Sequence, residues 1–452
     1  MQTKLSELLL RKFPRFLGNE LILRVIKNSG YLFSATGIAA ALSMVQGILA
    51  ARMLGVSGFG ILGAITVFTS VVNKFASFRM SELVIKYVGH YSEVGDKQRA
   101  AVIFKVAGLT EFTTSILAFG LIWLLAPFGA RFFAQDVATT PWFIIYGLVV
   151  LANFISESAT GLMQIFNRFR RIAAVTIGQS VLTLSLIALA YFNDGGLMEV
   201  VLAYMVGKVA GALGLTAIAL WEAAHRWGRG WWREPITLLR GKGRELVSFA
   251  VNTNISATIN LVNKDSELLW VSALRNPTEA GYYKLAMALA NMVQMPVAPL
   301  PQATYPELSR EVARSNWDNV RYVLRQGSIL AFSYTFLASV GLLLFGRPLI
   351  RFFYGGEFLP AFPALLILLV GFLVANTFYW NRTALLALGR ADYPTKVNLM
   401  AAGLKVVGIL LIVPTFGYLG SASLLAGFYL FSVSLNARKS FSLLKDKPVI
   451  VT

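Results

Sequence analysis

Ala126-Pro127-Phe128-Gly129-Ala130-Arg131-Phe132-Phe133 and Gly346-Arg347-Pro348-Leu349-Ile350-Arg351-Phe352-Phe353 stand 220 residues apart, in the same place relative to their neighbouring apolar runs. Other landmarks recur at nearly that offset: Gly58-Phe59-Gly60 with Gly281-Tyr282-Tyr283, Arg99 with Arg321, and Arg168 with Arg390. The second half of the chain therefore repeats the first. Parallel halves packed face to face leave a central cleft, and repeat interfaces are where transporters hold their substrates.

Composition sets the class. The chain is 56% hydrophobic and 14% charged, with a mean hydropathy of +0.63. Soluble domains are nearer a quarter charged. About twelve apolar stretches are long enough to cross the hydrocarbon core as helices. They lie near 29–52, 58–79, 99–127, 141–165, 172–192, 197–221, 245–272, 278–302, 326–346, 360–387, 394–414 and 418–436. The expected fold is an all-α polytopic membrane protein, its transmembrane helices forming two pseudo-symmetric six-helix bundles. Residues 1–28 read as an amphipathic cytoplasmic lead-in, 29–222 as the N-terminal bundle and 223–244 as a basic connector. Residues 245–436 read as the C-terminal bundle and 437–452 as a cytoplasmic tail. In the lead-in, Leu5, Leu8, Leu9, Phe13, Phe16 and Leu17 fall on helical spacing, with Pro14 as a kink. The first span, rather than a cleavable signal, would direct insertion.

The net charge of +19 is mostly topology. With the N-terminus inside, the lead-in, the even connections and the tail carry nearly all the Lys and Arg. The opposite side keeps only Arg52, Arg131, Arg275, Arg347 and Arg351. That bias, roughly fivefold, is what the positive-inside rule expects. It places both termini in the cytoplasm and argues against nucleic acid as a partner. Trp227, Trp231 and Trp232 among the connector's arginines read as an interfacial segment rather than a ligand site. The chain has no cysteine, which removes disulfides and thiol chemistry. No cofactor motif, nucleotide loop, metal-spaced cluster or catalytic triad is evident.

Charges inside the spans are more informative, because each costs roughly 2.5–3.5 kcal/mol at bilayer depth and so normally faces protein or water. They are Lys74, Glu111, Glu157, Lys208, Lys264, Asp265, Glu267, Lys284 and Lys405. The seventh span is unusually polar. Its Asn252, Ser256, Asn260, Asn263 and Glu267 recur at helical spacing and should line one face toward the cleft. Plainer readings stand beside these. Lys74 and Lys284 snorkel if they lie near helix ends. Lys264 and Asp265 join helices as a structural pair, or Glu111 and Glu157 pair with Lys208. Arg131 and Arg351 anchor spans at headgroups. Pro296, Pro299 and Pro301 either bend the eighth span or mark its end.

Ile26-Lys27-Asn28-Ser29, followed by Ala50-Ala51-Arg52-Met53-Leu54-Gly55-Val56-Ser57-Gly58-Phe59-Gly60, resembles the start of the polysaccharide (O-antigen type) flippases. These belong to the multidrug/oligosaccharidyl-lipid/polysaccharide exporter superfamily. Lys264-Asp265, Ala280-Gly281-Tyr282-Tyr283 and Tyr305-Pro306-Glu307-Leu308-Ser309 resemble that family's central segment. The resemblance implies a V-shaped cleft between the bundles, alternating access, and a polyprenyl-diphosphate-linked glycan as substrate. It also implies membrane lipids and polysaccharide polymerase machinery as partners, in a bacterial inner membrane.

On that reading Arg24, Lys74, Lys264 and Lys284 suit the diphosphate, since lysine presents a compact cation. Asn252, Asn260 and Asn263 suit sugar hydroxyls. Glu111, Glu157, Asp265 and Glu267 are the candidates for coupling to a proton, sodium or the membrane potential. A multidrug antiporter of the same superfamily would want a more acidic or aromatic cleft. A peptidoglycan-precursor flippase usually has further terminal spans. An enzyme would need a large outer loop with catalytic groups, whereas His90 and His225 fall in cytoplasmic segments. A scaffold would leave the polar seventh span unexplained.

Overall fold

The computed structural model of the chain describes residues 20–78, 80–250, 266–390 and 392–445, with side chains from residue 34 onward. Among the described residues every regular element is helical. Among the described residues eight helices are long and apolar enough to cross a membrane, and two of these are in fact pairs. Glu20–Ala76 breaks at Gly55 (φ 64°) and Asp392–Lys445 at Gly417 (φ 57°). A 54-residue helix would run for about 81 Å against a core of about 30 Å. It folds back instead: a side chain at Gly408 would meet Leu424, which lies 16 residues on. Left-handed backbone is where glycine is tolerated without a Cβ clash.

Spans four, eight and ten are discontinuous. Thr140–Ala152 is followed by Ser156–Ile165, Pro277–Gln294 by Leu300–Ala313, and Ala361–Thr377 by Asn381–Ala387. The prolines of span eight thus interrupt it, and helix resumes at Leu300 and runs on to Ala313, past the expected boundary at 302. Span nine is also longer than its apolar core, Trp317–Phe353 against 326–346, because hydropathy registers only the part in hydrocarbon. Large apolar side chains cover the outside, among them Trp123, Leu337, Leu344, Phe345 and Leu411. Such a surface needs lipid rather than water.

The chain forms two compact units. One draws on the chain before Ala50, on Asn73–Trp123 and on residues from Ile145 through the connector. In it, Gly207 and Gly211 of Leu197–Trp227 lie where a Cβ would overlap Thr183 and Gln179 of Phe169–Phe192. Small residues bring transmembrane helices into such contact. The connector is docked rather than merely interfacial. Trp227 and Trp231 pack on Phe104 at 5.8 and 5.4 Å. Lys105 Nζ donates to Glu234 O at 2.9 Å, and just beyond the connector Tyr87 OH donates to Glu245 at 2.8 Å.

The other unit holds the second half and, with it, Ala50–Val72 and Leu124–Ile144 of the first. The compact division therefore cuts across spans rather than falling at the connector. The physical reason is a glycine crossing inside this unit. A Cβ on Gly60 would overlap the Pro277 carbonyl oxygen, and one on Gly281 would overlap the Val56 carbonyl oxygen. Val56 and Pro277, like Gly60 and Gly281, stand 221 positions apart. The contact is reciprocal under the repeat, and its register matches Gly60, rather than Gly58, with Gly281.

Candidate functional site

Discontinuous helices at matching positions of two repeats mark where a transporter places its chemistry. Here spans four and ten are such a pair, yet they are satisfied differently. In span four the half-helix Ser156–Ile165 starts against Glu111, which is 4% exposed. Its carboxylate accepts from Glu157 N at 2.8 Å, Ser158 N at 3.0 Å and Ser158 Oγ at 2.8 Å. A carboxylate at a helix N-terminus satisfies orphan amides and complements the helix dipole. Glu111 is therefore a cap. Among the described residues neither it nor Glu157 pairs with Lys208. Glu157 is exposed and accepts from Ser81 Oγ at 3.3 Å.

The equivalent break in span ten carries no carboxylate. Its flanks open onto a cavity of about 330 Å³, lined by Gln294, Val297, Ala298, Pro301, Ala375, Asn376, Tyr379, Asn381, Arg382, Asn398, Phe428, Tyr429, Ser432 and Val433. Asn376 Nδ2 donates to Thr335 Oγ1 at 3.2 Å, and Asn436 Nδ2 to Asn381 Oδ1 at 3.2 Å. Trp380 between them is fully buried and donates to Ser328 Oγ at 2.7 Å. That anchored indole holds the broken strand of helix in place. The polar run Asn376 to Arg382 in an otherwise apolar span is the mark this site leaves in the sequence.

Of the expected cleft residues, Asn252, Asn260, Asn263, Lys264 and Asp265 lie outside the described residues, as does the side chain of Arg24. Lys74 is exposed in the last turn of Glu20–Ala76. Lys284 is half-buried in the second unit. Its ammonium donates to Phe59 O at 3.0 Å and sits 3.8 Å from the centre of the Phe59 ring, with no carboxylate partner among the described residues. Glu267 is 1% exposed. It binds Lys405 in a buried ion pair and accepts from Tyr283 OH, so it faces protein within this unit rather than an open wall. Arg131 and Arg351 are both exposed.

Other charges are also committed. Glu222, fully buried, binds Arg168, Arg171 and Arg226 at 2.9, 3.0 and 3.2 Å. Arg52 Nε donates to Phe353 O at 2.7 Å and Nη2 to Phe352 O, capping the end of Trp317–Phe353. Arg275 binds Glu279 at 2.8 Å and donates to Pro414 O at 2.9 Å, while Glu279 accepts from Tyr418 N at 3.0 Å. The spacing Glu222–Arg226 was legible in the sequence, but the two arginines from another helix were not.

Solved structures similar to this chain are transporters. An inward-facing multidrug resistance MATE family transporter of the MOP superfamily superposes with a TM-score of 0.71 at 13% identity, covering 91% of this chain and 96% of that one. The lipid II flippase MurJ, in an inward closed conformation, gives 0.69 at 14%, covering 92% and 89%. This is likeness of fold. In sequence, the inner membrane protein YghQ of Escherichia coli (strain K12) is 23% identical over 75% of this chain and 94% of its own length. The teichuronic acid biosynthesis protein TuaB of Bacillus subtilis (strain 168) is 23% identical over 62% of this chain and 56% of its own. Residues 25–312 match the model of a family described as polysaccharide biosynthesis protein. The chain is thus a multi-pass membrane protein with the fold of the MOP superfamily, and it belongs to the polysaccharide biosynthesis protein family.

Proposed function

We propose that the protein is a flippase that moves an undecaprenyl-diphosphate-linked oligosaccharide from the cytoplasmic to the outer leaflet of the inner membrane by alternating access, for polysaccharide biosynthesis. The observation that carries this reading is the family match across residues 25–312. A diphosphate-linked sugar loses its hydration in hydrocarbon, so carriage requires fixed cations and hydrogen-bonding groups. Arg24, Lys74, Lys264 and Lys284 are assigned to the diphosphate, and Asn252, Asn260 and Asn263 to sugar hydroxyls. Energy comes from a proton, sodium or the membrane potential, with Glu111, Glu157, Asp265 and Glu267 as candidate coupling groups. Glu157 is the most exposed of the three described carboxylates.

One observation favours a second reading. The MATE transporter that superposes at 0.71 is a multidrug resistance protein by name, so export of cationic drugs is the competing function. Liposomes containing the purified protein and a fluorescent undecaprenyl-diphosphate oligosaccharide separate the two. Transfer between leaflets that Lys264→Ala slows, with expression intact, supports the flippase and places the diphosphate near span seven. Transfer unaffected by that change keeps the function and makes Lys264 structural. Absence of transfer, in vesicles that extrude cationic dyes, favours the antiporter.

A further inference from the structure

The cavity beside the break in span ten is built from groups that the protein itself leaves short of hydrogen bonds. Gln294, Arg382 and Asn398 line it, and among the described residues no hydrogen bond or ion pair to their side chains is formed. Asn376 and Asn381 add amides fixed by Thr335 and Asn436, and Tyr379 OH sits 3.2 Å from Thr304 Oγ1. Polar side chains among transmembrane helices normally find one another, because an unmet donor or acceptor there is costly. Structural glue would therefore be internally paired, as Glu111 is at the matching break of span four. The amides of Gln294 and Asn398 are instead open to a guest, while Asn376 and Asn381, held by Thr335, Asn436 and Phe378 O, keep only their remaining hydrogen-bonding capacity for it.

The chemistry of the guest follows from the lining. A primary amide offers donors and an acceptor side by side, which matches the hydroxyls of a sugar ring. No Asp or Glu is among the lining residues, and their one fixed charge is the cation of Arg382. This combination disfavours a cationic drug and suits a neutral or anionic guest. A volume near 330 Å³ lies at the lower end of the roughly 300–1,000 Å³ of small-molecule sites. That is room for a sugar unit rather than a whole oligosaccharide.

We propose that this cavity is a receiving site for one sugar ring of the cargo glycan, held by Gln294, Asn376, Asn381 and Asn398, with Arg382 at its rim taking an anionic substituent of that ring. The inference rests on the flippase reading above and adds to it a sugar site within the second unit, separate from the residues assigned to the diphosphate.

The natural absence of cysteine makes the test direct. The full chain carrying Ala298→Cys, at an exposed lining position that makes none of the proposed sugar contacts, is placed in nanodiscs and reacted with a water-soluble maleimide. Undecaprenyl diphosphate is added either bare or bearing N-acetylglucosamine, galactose or glucuronate. The expected result is that the cysteine labels and that at least one sugar-bearing lipid slows labelling several-fold, while the bare lipid does not. Replacing Arg382 with alanine in the same background (Arg382→Ala) should weaken protection most for glucuronate. A cysteine that does not label, equal protection by the bare lipid, or no protection by any of the four overturns the inference. Leaflet transfer by the unmodified protein is measured alongside. If transfer is intact and protection is missing, the sugar site alone falls; if transfer is absent and ethidium is extruded, the flippase reading falls with it.

Discussion

Gly60 and Gly281 cross at backbone contact, each with the space for its missing Cβ filled by a carbonyl oxygen of the other's helix, from Pro277 and Val56. Because the two contacts are related by the same 221-residue offset, the crossing is a local two-fold built from the repeat. It explains two glycines of the family-like motifs: no larger residue lets helices two and eight approach so closely. The same unit contains Arg52 capping Phe353 O, Gln135 Nε2 donating to Arg275 O at 2.8 Å and Ser272 Oγ donating to Phe133 O. First-half and second-half segments are therefore bound together at the end that bears these arginines.

Gly60→Ala and Gly281→Ala should each lower stability by about 1–3 kcal/mol, the usual cost of forcing atoms into a packed contact. Thermal unfolding of the purified variants in detergent checks this. Since both changes push the same two helices apart, the double variant should lose less than the sum of the singles. Unchanged melting in either single variant would contradict the crossing.

Glu111 is expected to behave first as a cap. Glu111→Ala strands the amides of Glu157 and Ser158, and each unmet buried donor costs about 1–3 kcal/mol. Glu111→Gln retains one acceptor oxygen and should lose less. Melting temperatures in the order wild type, Gln, Ala bear this out. Equal melting of all three, with transport abolished in both variants, would instead assign Glu111 to coupling alone.

The Glu267–Lys405 pair gives a prediction with a built-in rescue. Breaking a buried pair from one side leaves an uncompensated charge, at a cost of about 3–5 kcal/mol, whereas replacing both partners with apolar groups is often neutral. Glu267→Leu or Lys405→Met should each reduce the yield of folded protein, and the double variant should recover it. Recovery of folding without recovery of transport would show that the pair serves coupling as well as structure.

Lys284 should separate function from stability. Its ammonium contacts a carbonyl and an aromatic face, so Lys284→Gln keeps a donor and loses the charge. Leaflet transfer is expected to fall about tenfold or more, equivalent to roughly 1.4 kcal/mol, with little change in melting. A fall in melting that accompanies the loss of transport would make the residue structural.

The residues differ in how much of their role the sequence disclosed. Glu111 stood out as a charge in an apolar span, but its partners, the amides at 157 and 158, are visible only once span four is seen to break. Glu267 fell on the polar stripe of span seven, yet Lys405, which binds it, lies 138 positions away. Trp227 and Trp231 had the composition of an interfacial segment, and their packing on Phe104 became visible only in the fold. Span ten read as one apolar stretch despite Arg382, and its cavity went unseen because the break between Thr377 and Asn381 leaves no mark in hydropathy.

By itself, the sequence determined the membrane class, most of the spans and the repeat with its near-constant offset. These are one-dimensional properties: the bilayer imposes length and hydropathy on each segment separately, and duplication leaves its trace in register. Tertiary structure decided which charges are spent on structure, where helices break and which polar groups remain open. A buried charge or amide is defined by its partners, and those come from helices far along the chain. Glu222 against Arg168, Glu267 against Lys405 and Asn381 against Asn436 are pairings that only the packing of helices brings about.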